Sequence, residues 1–188
     1  MSGLTVHLLR HGAPALTGRM LGSTDCAETP EGVAACLEQT EALEFARLVS
    51  SPLRRAAAAA GAIGARGNIP VTIDERWREI DFGDWDGLSS ADVDPAALGR
   101  FWDDPDMHAP PGGERWSALT ARIGGAIDAL DADTLVVTHG GAMRAALAVL
   151  FGFSQPQLWA FDLPYASVLS LRIWPGVPRQ AQIVGLWP

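Results

Sequence analysis

Two histidines stand where apolar runs end, and glycine follows each of them at once. The first lies in Leu8-Leu9-Arg10-His11-Gly12, the second in Val136-Val137-Thr138-His139-Gly140-Gly141. A histidine so placed offers a nitrogen nucleophile or base at neutral pH. Arg10 presents a planar fork of donors suited to phosphate oxygens, and Gly12 lets a ligand approach the backbone. Read singly, each string also fits a structural role: a strand terminus for the first, a hydrogen-bonded core histidine for the second.

Two more stretches carry chemistry-bearing side chains. Ser51-Pro52-Leu53-Arg54-Arg55-Ala56 follows a strand-like run and starts a helix, where backbone N–H groups and an arginine suit an anion. Two solvated surface arginines would read the same way. Glu79-Ile80-Asp81-Phe82-Gly83-Asp84-Trp85-Asp86-Gly87 interleaves acids with aromatics and glycines. A loop of this kind sets a carboxylate against apolar surface, a setting for a general acid; a solvated acidic loop is the alternative.

These pieces need elements to position them. Residues 4–9 read as a buried strand containing His7, which is expected to pack and not to bind. Thr29 as N-cap, with Pro30 behind it, opens a helix to about Leu43. Strands are expected over 45–49 and 70–73, with a helix between them from Pro52 through the alanine run 56–60 toward Gly64. The stretch 74–113, rich in Trp, Asp, Gly and Pro, is too long for a plain connector; it predicts an insertion with short helices, one over 95–102. An amphipathic helix is expected over 114–130, burying Ala118, Ile123, Ala126, Ile127 and Leu130. Residues 134–138 form a continuously apolar strand, hence central and parallel. A helix over 141–152 and strands over 167–173 and 180–186 complete the chain.

The alternation predicts one domain over 1–188: a three-layer α/β/α sandwich with a mostly parallel central sheet. Ligands of such sheets bind beyond the carboxyl ends of the strands, where both His-Gly strings fall.

The chain has 188 residues and a net charge of −8, which speaks against a broad nucleic-acid-binding face. Its 14 basic residues are all arginine, which excludes Schiff-base and P-loop lysines. An acidic chain can still bind anions where a few arginines converge in one pocket. No apolar run reaches the roughly 18 residues of a membrane helix, and no signal-peptide pattern opens the chain. Cys26 and Cys36 suggest neither a disulfide framework nor a metal site. A cytoplasmic protein acting without membrane or nucleic acid is expected, with a homodimer left open.

The ordered strings Arg-His-Gly, Ser-Pro-Leu-x-Arg-Ala, Glu-x-x-Phe-Gly-x-Trp-x-Gly, Gly-Gly-Glu and Thr-His-Gly-Gly resemble the histidine phosphatase superfamily, with its phosphoglycerate-mutase-like fold. The motifs span residues 8–144. The resemblance implies that His11 is the nucleophile and that Arg10, Arg55 and His139 hold the phosphoryl oxygens. It makes Glu79 the proton donor, Asp81 and Asp84 being the reserve. Gly140 stands where one branch of the superfamily carries an aspartate. Phosphoryl transfer needs positioning and charge neutralisation, which these side chains supply without a metal or other cofactor.

Ala13-Pro14 departs from the usual Glu-Thr or Glu-Ser, Thr17 stands near the place of a common Asn, and Arg115 replaces a serine. The short end after the last strand favours hydrolysis over mutase activity. Residues 81–116 are expected to form a lid-like specificity insertion. Within the superfamily, the strings Phe82–Gly87 and Pro110–Glu114, with the Gly18–Asp25 loop, resemble α-ribazole phosphatases of cobalamin biosynthesis most. Trp85, Trp102, Trp116 and His108 are then candidates to line an aromatic cleft, and Gly140 and Thr17 to touch substrate. The alternatives are a phosphatase of a sugar phosphate or phosphoglycerate, a phosphoglycerate mutase, and a non-catalytic phosphate-binding regulator.

Overall fold

The computed structural model describes residues 3–188. Six strands form one sheet: β1 (Leu4–Arg10), β2 (Arg47–Ser50), β3 (Val71–Ile73), β4 (Thr134–Thr138), β5 (Val168–Trp174) and β6 (Gln180–Trp187), in the order β3-β2-β4-β1-β5-β6. The pairs β2–β3, β2–β4 and β1–β4 are parallel; β5 runs antiparallel to both β1 and β6. Five strands therefore share one direction, and the sheet is mostly parallel as expected. The apolar run of β4 is buried at every residue, as a central strand covered on both faces requires.

Helices cover both faces: α1 (Pro30–Gln39), α2 (Arg54–Gly67), α3 (Pro95–Asp103), α4 (Trp116–Asp128), α5 (Gly140–Phe151) and α6 (Gln155–Leu158). Two apolar clusters result. One joins Leu8, Trp77, Ile123, Val136, Met143 and Leu147; the other joins Leu9, Ile63, Leu135 and Val137 with the small residues Ala56, Ala59 and Ala60 of α2. The alanine run lets α2 lie close to the sheet. Side chains alternate faces along a strand, so Leu8 and Leu9 enter different clusters.

Several expectations shift. α1 stops at Gln39, before a turn at 40–42, not at Leu43. α4 begins at Trp116, and its buried stripe is Leu119, Ile123, Ala126 and Ile127. Ile123, Ala126 and Ile127 are buried as expected and Leu130 is half-buried, but Ala118 faces solvent because Leu119 begins the i, i+4, i+7, i+8 stripe. The short helix α6 escapes the apolar pattern, although Ser154 caps it in a reciprocal box with Gln157. His7 behaves as a packed residue: it is buried, and its Nδ1 lies 2.5 Å from Oγ of its cross-strand partner Ser170. Among the described residues, no helix is long and apolar enough to cross a membrane.

Candidate active site

Strand register brings the chemistry together. Arg10 of β1 is paired with Thr138 of β4, and Ser50 of β2 with Val137. The next residues, His11, His139 and Ser51, therefore leave the sheet side by side. The His11 and His139 rings lie 5.1 Å apart, edge to face.

His11 is buried at 4% exposure. Its Nδ1 lies 2.7 Å from the carbonyl oxygen of Gly12. A carbonyl can only accept, so Nδ1 carries the proton and Nε2 keeps the lone pair. Burial first, then the charges of Arg55 and Arg10, hold the His11 pKa down at about 3. The ring is therefore neutral across the physiological range, the state a nucleophile needs. Burial also depresses His139 well below the ordinary value, with His11 and the same arginines adding to it.

The Gly12 peptide is itself held. Its N–H donates to Glu28 Oε1, and a Cβ on Gly12 would strike the backbone of Gly32 in α1. Glu28 is a buried carboxyl that sequence reasoning passed over. Burial pushes its pKa up to about 7, and the Cys36 thiol, also pushed up by burial, donates to it at 3.6 Å.

Arg55 is fully buried, whereas Arg54 is exposed. Its guanidinium donates to the carbonyls of Leu21 (2.7 Å), Gly22 (2.9 Å) and Thr24 (2.8 Å). The loop supplying them is fixed by Asp86, whose carboxylate accepts the N–H groups of Gly22, Ser23 and Thr24. The acid of Trp85-Asp86-Gly87 thus serves to orient Arg55 through a loop. Arg10 donates to Leu163 O at 2.5 Å and lies 4.2 Å from the Tyr165 ring centroid. Ser51 Oγ is 2.8 Å from His139 Nε2 and accepts from Leu53 N–H. Three buried nitrogens, Arg10 Nε, Arg55 Nε and His139 Nδ1, have no hydrogen-bond partner in the protein.

Glu79 lines the same cavity as Arg10 and His11. Its oxygens accept from Ile80 N–H (2.9 Å) and Gly141 N–H (3.0 Å), at the start of α5. A Cβ at Gly141 would collide with Oε1 of Glu79, so the second glycine of His-Gly-Gly makes room for the carboxylate. The Gly-Gly-Glu string acts behind it. Glu114 pairs bidentately with Arg122 at 2.7 and 2.8 Å, and Arg122 grips the carbonyls of Arg76, Arg78 and Glu79. Asp81 accepts from Gly83 N–H and Asp84 is exposed; neither lines the cavity with His11.

The cavity, about 330 Å³, is lined by His11 together with the aromatic side chains of Phe82, Phe101, Trp102 and Trp116. Of the residues expected to touch substrate, Gly140, Trp102 and Trp116 line it. Trp85, His108 and Thr17 are not among its lining residues, nor are the buried Arg55 and His139, which pack behind His11. The Trp85 ring is buried edge-on against Phe101 at 5.7 Å. His108 is exposed in the turn after α3, and Thr17 sits in an exposed loop. Missed from sequence were Arg144, Gln155, Trp159 and Tyr165, all lining residues. Arg144 had a signal: it is the lone charge in the apolar helix α5. Tyr165 precedes Ala166, whose φ of 63° is a turn no local string announces. Among the described residues, no group of three or more His, Cys, Asp or Glu could hold a metal ion.

Comparison with known proteins agrees with this geometry. The family model of the histidine phosphatase superfamily (branch 1) matches residues 6–184. A glucosyl-3-phosphoglycerate phosphatase of Mycolicibacterium vanbaalenii is 34% identical over 164 residues, covering 77% of this chain and 73% of its own length. The structure of a mycobacterial glucosyl-3-phosphoglycerate phosphatase superposes with a TM-score of 0.86 at 27% identity, covering 97% of each chain; that protein has also been solved with inorganic phosphate and with VO3. A putative alpha-ribazole-5′-P phosphatase from Escherichia coli has the same TM-score at 23% identity, over 99% of this chain and 97% of its own, a likeness of fold alone. The chain belongs to the histidine phosphatase superfamily and is a phosphoric monoester hydrolase by kinship and by the arrangement of His11, His139, Arg10 and Arg55.

Proposed function

We propose that the protein hydrolyses a small organic phosphate monoester through a phosphohistidine on His11, without a metal ion. The observation that carries this reading is the neutral His11, its Nε2 lone pair free, beside the buried donors Arg10 Nε and Arg55 Nε and the buried ring nitrogen His139 Nδ1, none of which has a partner in the protein. Unpaired buried donors cost about 1–3 kcal/mol each; a tetrahedral phosphoryl group satisfies them together.

In the first step Nε2 of His11 attacks phosphorus in line with the ester oxygen. The N–P bond forms, the P–O bond breaks, and Glu79 gives a proton to the departing alkoxide. Arg10, Arg55 and His139 neutralise charge on the equatorial oxygens. In the second step Glu79, now a carboxylate, takes a proton from water as its oxygen attacks phosphorus. The N–P bond breaks, and inorganic phosphate and neutral His11 result. Residues 81–116 serve as the cover that selects the organic part.

The similarity to glucosyl-3-phosphoglycerate phosphatases supports an ester of a sugar acid. A second reading, α-ribazole 5′-phosphate, is supported by the tryptophan walls, since a flat base stacks well on aromatic faces. Hydrolysis of an aryl phosphate in the presence of a chelator tests the first claim, and full activity without added metal is expected. Dependence on a divalent ion would overturn it. Ranking phosphoglycerates, sugar phosphates and ribazole phosphate by kcat/KM then separates the two substrates.

A further inference from the structure

The catalytic steps above use Arg10, Arg55, His139 and Glu79, and they leave one half-buried cation of the cavity without a task. Arg144 rises from α5, one turn beyond Gly140, into the cavity that holds His11. Its guanidinium stacks on Trp159, 4.3 Å from the ring centroid. Its contacts to the protein are long, 3.4 Å to Gly140 O and 3.5 Å to Phe161 O, and its buried Nε has no acceptor. Among the described residues it makes no ion pair. Gln155, which opens α6 just before Trp159, lines the same cavity and has a buried Nε2 without an acceptor.

Placing an unpaired guanidinium here is costly. Burial, and then the like charge of Arg10, pull the Arg144 pKa below the ordinary arginine value, against the weaker opposing pull of Glu79 and Asp162. Both guanidiniums reach the space beside Gly140. An anion on the alcohol side would relieve that repulsion and occupy both sets of free donors. Arg10 and Arg55 already match the charge of a phosphate monoester dianion, and Arg144, which Glu79 and Asp162 influence without forming an ion pair, keeps donors free for a second anionic group.

We propose that Arg144, assisted by Gln155, forms a second anion subsite that binds a carboxylate carried by the alcohol part of the substrate, making this enzyme selective for phosphorylated hydroxy acids. The proposal rests on the phosphatase reading above and narrows it. Trp159 supports the flat guanidinium from behind, so that its fork can meet the carboxylate edge-on. Arg144 is thus a specificity residue that acts on binding of the organic part.

The test is a matched pair of ligands, 3-phosphoglycerate and glycerol 3-phosphate, which differ in carrying a carboxylate or a hydroxymethyl group. Each is measured as a competitive inhibitor of aryl phosphate hydrolysis. A charge-assisted pair worth about 1.5–3 kcal/mol corresponds to a preference for the carboxylate of at least about tenfold in wild type. Arg144→Gln should reduce that ratio to about one, and Arg144→Lys should restore part of it. Equal inhibition of wild type by the two ligands overturns the subsite whether or not the variants fold. An equal loss of affinity for both ligands in Arg144→Gln also overturns it, because Arg144 would then hold the phosphoryl group. Absence of aryl phosphate hydrolysis in wild type would refute the phosphatase reading instead.

Discussion

The two ends of the cavity are built in different ways. At the phosphate end, His11, His139 and Ser51 are set by strand register, and Arg55 by three carbonyls of a loop that Asp86 holds. These groups are buried, and side-chain motion there would break backbone bonds. At the organic end, Trp102 and Trp159 are exposed at 39% and 45% and touch each other edge to face at 5.1 Å. They rest on α3 and the short α6, not on the sheet. Chemistry that requires fixed geometry is tied to the rigid element; recognition of the organic part is left to side chains that can be exchanged without disturbing it.

That contrast is open to attack by paired substitutions. Glu79→Gln should lower kcat by about 10²–10⁴-fold for esters with poor leaving groups, the usual worth of acid–base catalysis. Aryl phosphates with good leaving groups should lose much less. Trp102→Ala should instead raise KM about tenfold for a bulky ester, at roughly 1.4 kcal/mol of lost contact, with kcat nearly constant. A leaving-group-independent loss in Glu79→Gln moves the acid role elsewhere. A kcat effect in Trp102→Ala as large as its KM effect erases the division between the two ends.

A further expected effect concerns stability behind the phosphate end, not catalysis. Burial raises the Glu28 pKa from 4.5 to about 7. Between those values the unfolded carboxyl is ionised and the folded one protonated, so stability falls as pH rises through this window. The loss is at most about 3 kcal/mol, at roughly 1.4 kcal/mol per pKa unit. His7, His11 and His139, all lowered by burial, act oppositely and destabilise the fold as pH falls below 6.5. Glu28→Gln keeps an acceptor for Gly12 N–H and removes the first slope. Calorimetry should find the variant more stable than wild type at pH 8, and falling more steeply from pH 6.5 to 5. Parallel curves would contradict the buried-acid account.

Much of this was legible in the sequence, for identifiable reasons. Chemistry at a strand end requires particular residues in adjacent positions, so Arg10-His11-Gly12 and His139-Gly140-Gly141 could be read as strings, and the sheet between them followed from alternating elements. Orientation was not legible. Trp85 and His108 have residue types suited to a cleft, but ring direction is set by tertiary packing, which turns Trp85 onto Phe101. Glu28 lay in a loop without motif, and its role depends on α1 bringing Gly32 against Gly12. Arg144 and Gln155 belong to elements that serve the site only after α5 and α6 pack together. Asp86 and Glu114 were found within motifs, yet their work is to brace Arg55 and Glu79 through loops, a relation that only folding creates.

The central claim is that His11 is a covalent nucleophile, with its Nε2 lone pair directed at phosphorus. It is tested most directly by rapid denaturing quench during turnover of a 32P-labelled ester, followed by peptide mapping. The account predicts a phosphoenzyme stable to alkali and labile to acid, located on the peptide containing His11 and absent from His11→Ala. Label on another residue, or an intact phosphoenzyme in His11→Ala, would contradict it.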